Sequence, residues 1–152
     1  MTVAPKDAGT PSAFSQQFHG NFVGMLDWSQ LDDLWLKVRS QPLGWYASQV
    51  GEAAAQVSMT AAVLHNFIDE IDALLRHEHQ YNYCGIVYAD SRAQPTFIKI
   101  FDPHHLGSFC SHGGAIIQPR WVLSRVQPEP FEEDAPLPGS RQSWWRRVFA
   151  SH

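Results

Sequence analysis

Between Asp102 and Gly114 the chain reads DPHHLGSFCSHGG, which gathers His104, His105, Cys110 and His112 within nine residues. Imidazole and thiolate are the side chains that zinc, copper and iron prefer, so this loop is the candidate metal site. The spacing H-H-x4-C-x-H matches none of the common zinc signatures, and no cofactor beyond a transition metal as a class is implied. The same residues admit a thiol reading. Cys110 is a candidate catalytic nucleophile if an imidazole, or Asp102, folds across to lower its pKa. Sequence neighbours do not by themselves supply a complete nucleophile–base pair, so catalysis is not the first expectation.

Other constellations have plainer readings. Asp102-Pro103 is an ordinary turn opener, and Gly113-Gly114 lacks the surrounding pattern of either nucleotide-binding fingerprint. His65, Asp69, Glu70 and Asp72 fall at helical spacing, but no second helix carries the matching set that a di-iron bundle requires, so they read as a solvated face.

The C-terminal RQSWWRRVFASH is the second unusual feature. On a helix Trp144, Trp145, Val148 and Phe149 share one face, with Arg141 nearby and Arg146 and Arg147 flanking it. Isolated helices of this length are marginal, so the segment must dock or stay exposed. Three seats compete: its own domain, a partner protein, or an anionic membrane surface by peripheral contact. Aromatic side chains with arginine are the composition of interface hot spots, which makes Trp144, Trp145, Arg146, Arg147 and Phe149 the candidate partner-binding set. The preceding QPEPFEEDAPLPGS (127–140) reads as an acidic, extended linker reaching about 40 Å at about 3.1 Å per residue.

The elements that must position these residues are legible in part. Asp27 and Gln30 open a helix over 28–40 with Leu31, Leu34, Trp35 and Val38 on one stripe. Thr60 caps a longer helix over 61–78, whose apolar face is Leu64, Phe67, Ile68, Ile71, Leu74 and Leu75. Alternation over 81–101 predicts a β-hairpin with a long connection, and 121–126 predicts a last strand. Residues 45–50 are a weaker strand candidate. The expected fold class is therefore α+β, a small antiparallel sheet covered by two amphipathic helices. The expected organisation is a flexible segment over 1–20 that docks through Phe14, Phe18 and Phe22, one domain over 21–126, the linker, and the tail from 141 to 152.

Composition narrows the function. A net charge of -4 argues against nucleic acid as a partner. No apolar run is long enough to span a membrane, the first residues lack a secretory h-region, and two cysteines read as reduced cytoplasmic thiols. Arginine outnumbers lysine, a compositional hint of a GC-rich bacterial source. The expectation is a cytoplasmic accessory or adaptor protein that captures a partner protein through its tail. The alternative is a metal-binding protein or a Cys/His-dependent thiol enzyme built on 102–114. Composition leaves the oligomeric state open.

Overall fold

A computed structural model describes residues 11–105, 118–130 and 137–150. It shows an α+β fold with a small, wholly antiparallel sheet. Helix α1 is Ala13–Phe18, α2 is Trp28–Ser40, α3 is Ala61–Glu78 and α4 is Gly139–Phe149. Strands β1 (Val23–Gly24), β2 (Tyr46–Gln49), β3 (Val87–Ala89), β4 (Phe97–Ile100) and β5 (Trp121–Ser124) form one sheet in the order β1-β3-β4-β5-β2.

The two long helices form where their caps and stripes place them. The Asp27 carboxylate accepts from the Gln30 amide at 2.8 Å, and the Gln30 side chain accepts in turn from the Leu26 amide at 2.7 Å. The first bond satisfies a donor that the first turn leaves without a helical partner, and the second ties the residue before the cap to that turn. Thr60 Oγ1 caps α3 in the same way, accepting from the Val63 amide at 3.2 Å. Both apolar stripes are buried against the sheet face formed by Val87, Ala89, Ile98, Ile100, Trp121 and Leu123. The register Val87↔Ile100↔Trp121 and Ala89↔Ile98↔Leu123 keeps these residues on that one face.

The other face of β4 and β5 carries a second, smaller cluster. Phe14 and Phe97 have ring centroids 5.2 Å apart, and Phe18 and Phe22 close over them. The Lys99 ammonium lies 4.3 Å from the Phe18 ring centroid and 4.2 Å from that of Phe22. Part of the expected flexible lead-in is thus an ordered helix. Ser12 caps it through the Ser15 amide, and burial of Phe14 holds it to the sheet. Residues 1–10 lie outside the described set.

The hairpin is shorter than the span 81–101 read from the sequence. Cys84 and Gly85 give their amides to Leu26 and Met25, and Gly85 sits at φ +69, a left-handed conformation that glycine adopts without Cβ strain. This turn holds the chain out of strand geometry before β3. Asp90 fixes the long connection by accepting from the Thr96 and Phe97 amides at 2.9 and 3.1 Å. The last strand ends at Ser124, whose hydroxyl donates to the Val126 carbonyl.

Candidate functional site

Four element ends meet at one point. Glu78 is the last residue of α3, Asp102 follows β4, Arg120 precedes β5, and Arg141 stands in the first turn of α4. Asp102 does open a turn, since its Oδ1 accepts from the His104 amide at 2.9 Å and a 3-10 turn over Pro103–His105 follows. It is also 2% exposed, so its charge requires a partner.

Arg141 is that partner. Its Nε and Nη2 donate to the two Asp102 oxygens at 3.0 and 2.9 Å, while Nη1 and Nη2 donate to the two Glu78 oxygens at 2.9 and 2.5 Å. Nη2 therefore bridges one oxygen of each carboxylate. Arg120 approaches Asp102 at 3.6 Å and donates to the Val50 carbonyl at 3.0 Å. Two guanidinium groups and two carboxylates leave the cluster formally neutral. Trp121 lies under Arg141, at 5.4 Å, and donates its indole N–H to Gln49 at 2.8 Å.

The charges respond as this packing requires. Burial opposes the Arg141 charge, but the hydrogen bonds and charges of Glu78 and Asp102 more than offset it and push Arg141 above its ordinary value. The Arg141 hydrogen bond holds Glu78 below the usual carboxylate range. Burial lowers Arg120, with Asp102 acting against that shift.

His104 forms the outer lip of the site. Its Nε2 lies 2.7 Å from Glu78 Oε1, and its side chain is 62% exposed. Glu78, Asp102 and His104 each bring one ligand-type atom within 4.8 Å of the others. His105 ends the 3-10 turn, and its side chain is outside the described set. Cys110 and His112 also lie outside the described residues. Cys84, the other thiol, is fully buried, and burial raises its pKa, which suits an inert core residue.

The tail residues lie along α3. Phe67, fully buried, meets Trp144 and Trp145 at 6.3 Å and Phe149 at 6.0 Å, and Trp144 also meets Trp121 at 5.7 Å. Asn66 donates to the Val148 carbonyl at 3.2 Å, and Arg147 pairs with Glu70 at 2.9 Å. Arg146 is exposed and makes no ion pair among the described residues. Within α4 only Arg141 and Val148 are fully buried, while Trp144, Trp145 and Phe149 are half-buried.

The polar face of α3 is committed elsewhere. Arg39 donates to His65 at 3.0 Å and to Asp69 at 2.6 Å, and Asp72 accepts from Trp35 and Arg76. Glu78, Arg120 and Arg141 went unremarked as site residues in the sequence. A signal for two of them was present, because both charges stand at the wrong helix end. A carboxylate in the last turn and a cation in the first turn each oppose the helix dipole unless something compensates them.

No protein-family model matches the chain, and no curated protein or solved structure matches it either.

Proposed function

We propose that the chain is a small accessory or adaptor protein that binds a partner protein through α4. Trp144, Trp145, Arg146, Arg147 and Phe149 would make the contact. The observation that carries this reading is how α4 is held. It is fastened at its first turn by buried charge, while its large aromatic rings remain half-buried beside an exposed Arg146 that has no ion-pair partner among the described residues. Rigid aromatic rings next to arginine supply contact area and directional donors, the combination that dominates binding energy at interfaces. Arg146 calls for a partner surface with an acidic group beside an apolar groove.

A cytoplasmic setting accords with a free buried thiol. No helix among the described residues is long and apolar enough to cross a membrane. The net charge of -4 makes nucleic acid a poor partner.

The test compares the intact chain with Arg146→Glu and with Trp145→Ala in affinity capture, followed by titration of the captured protein against each purified chain. We expect one protein held by the intact chain and at least ~10-fold weaker binding to either variant, at unchanged melting temperature for Arg146→Glu. Equal retention by all three folded chains, or none by any, overturns the proposal.

A further inference from the structure

We infer that the partner of α4 is a second copy of this chain. Trp145, Arg146 and Phe149 of one copy dock on the groove between α2 and α3 of the other, in a two-fold dimer. The inference rests on the reading of α4 as the contact helix and names the surface it meets.

The chain itself carries the surface that Arg146 calls for, an acidic group beside an apolar groove. On the solvent side of α2 and α3, a groove of about 320 Å³ is lined by Asp32, Trp35, Leu36, Arg39, Asp69 and Asp72. Leu36 supplies its apolar wall and is 64% exposed. The carboxylates are only partly engaged. Asp69 accepts from Arg39 and Asp32 from Arg76, each through Oδ1 at 2.6 Å. The second oxygen of each has no hydrogen-bond partner among the described residues, and the two side chains are 71% and 62% exposed. Three carboxylates against Arg39 and Arg76 leave the groove acidic, which complements an exposed arginine flanked by aromatic rings.

The helix layer brings the two surfaces into register. Helices α2 and α4 flank α3 on opposite sides, and both run antiparallel to it. On one flank Arg39 pairs with Asp69 and Arg76 with Asp32. On the other, Asn66 donates to the Val148 carbonyl, Arg147 pairs with Glu70, and Arg141 reaches Glu78. Asp69 and Glu70 are neighbours on α3, so the groove and Arg146 stand at the same height along it. A two-fold axis parallel to α3 preserves that height and exchanges the flanks. It therefore carries α4 of each copy over the groove of the other. The contact is isologous and is made twice, the closed arrangement that most homo-oligomers adopt.

Sedimentation velocity of the purified full-length chain, in a dilution series up to the millimolar range, tests the inference. The intact chain is expected to form a dimer that added salt weakens. Arg146→Glu and Asp69→Lys each set like charges against one another at both contacts. Each alone should weaken the dimer at least ~10-fold, with unchanged far-UV circular dichroism in dilute solution. Mixed in equal amounts, the two variants should recover a dimer within ~3-fold of the intact affinity, because one contact is then native and the other has its charges exchanged. A chain that stays monomeric throughout the series overturns the inference and leaves the partner reading standing, with an unrelated protein as the occupant. A dimer indifferent to Arg146→Glu, or a mixture that recovers nothing, overturns it as well. Failure of the partner reading shows separately, as affinity capture in which Arg146→Glu retains all that the intact chain retains.

Discussion

Replacing Arg141 by methionine keeps the volume of the side chain and deletes its charge. The consequence follows from what is left behind. Asp102 loses two donors in a setting where it is 2% exposed, and it retains the His104 amide and Arg120 at 3.6 Å. Removing one partner of a buried ion pair costs about 3–5 kcal/mol. The surviving partners place Asp102 at the lower end, about 3 kcal/mol. Glu78, whose side chain is 21% exposed, adds at most about 1 kcal/mol, because water replaces part of what Arg141 gave it. The expected total is about 3–4 kcal/mol, two to three powers of ten in the equilibrium between seated and unseated α4. Urea titration followed both by tryptophan fluorescence and by far-UV circular dichroism reads it. Trp144 and Trp145 ride on the helix that Arg141 fastens, so the fluorescence change should precede the loss of α2 and α3. A variant with coincident transitions and a loss below about 1 kcal/mol would refute the argument that buried charge seats α4.

Three further outcomes test the packing. Phe67→Ala removes the ring on which Trp144, Trp145 and Phe149 converge, and should cost about 3–5 kcal/mol in the same titration, with the larger share in the α4 transition. Gly51→Ala should cost about 1–2 kcal/mol by thermal melting, because Gly51 sits at φ +101 and the new Cβ would lie 3.0 Å from the Cβ of Leu137, just ahead of α4. Burial lowers the Lys99 pKa from its ordinary 10.5, and the groups facing it are Phe18, Phe22 and, across the register, Tyr88. Folding therefore favours the neutral amine, so its effect on stability improves as pH rises through the lowered folded value towards 10.5 and is least favourable below that window. Melting temperatures of the intact chain and Lys99→Met should converge or cross in the intact chain's favour over that range, and a pH-independent difference would sink the reading.

The parts of the fold that repeat with a period were legible, and the parts set by single residues were not. Helices α2 and α3 carry a side-chain cap followed by an apolar stripe, and local periodicity suffices to place both. The early end of the hairpin depends on Gly85 and on amides donated to Leu26 and Met25, partners about sixty residues away that no local pattern announces. Helix α1 is short and weakly periodic, and its order derives from the burial of Phe14 on Phe97 across the sheet. The candidate site was half visible. His104 stood out by residue type, and Asp102 read correctly as a turn opener, but its burial comes from tertiary packing. Glu78 and Arg141 were each unfavourable in their own helix. The α3 C-terminus and the α4 N-terminus meet with opposite dipole ends, and the two misplaced charges compensate each other across that junction. Local rules that fail in pairs at the ends of two helices point to a contact between those ends.

That contact sets how tightly any partner of α4 can bind. Covalent attachment keeps α4 near its seat, so the seated state re-forms readily after each opening. A latch worth about 3 kcal/mol leaves fewer than about one chain in a hundred with α4 free. A partner that must take the released helix then binds the intact chain at least ~100-fold more weakly than it binds a free peptide of residues 137–152. Arg141→Met should return about 100-fold of that factor to the intact chain, because it destabilises the α4 seat by the worth of the latch. Titrating one captured partner with the peptide, the intact chain and Arg141→Met separates the two modes of contact. Peptide and Arg141→Met both binding well above the intact chain shows that α4 leaves its seat. Tightest binding to the intact chain, with the peptide and Arg141→Met both weaker, shows that the partner reads Trp145, Arg146 and Phe149 on the seated helix, and that the charge cluster serves to present them.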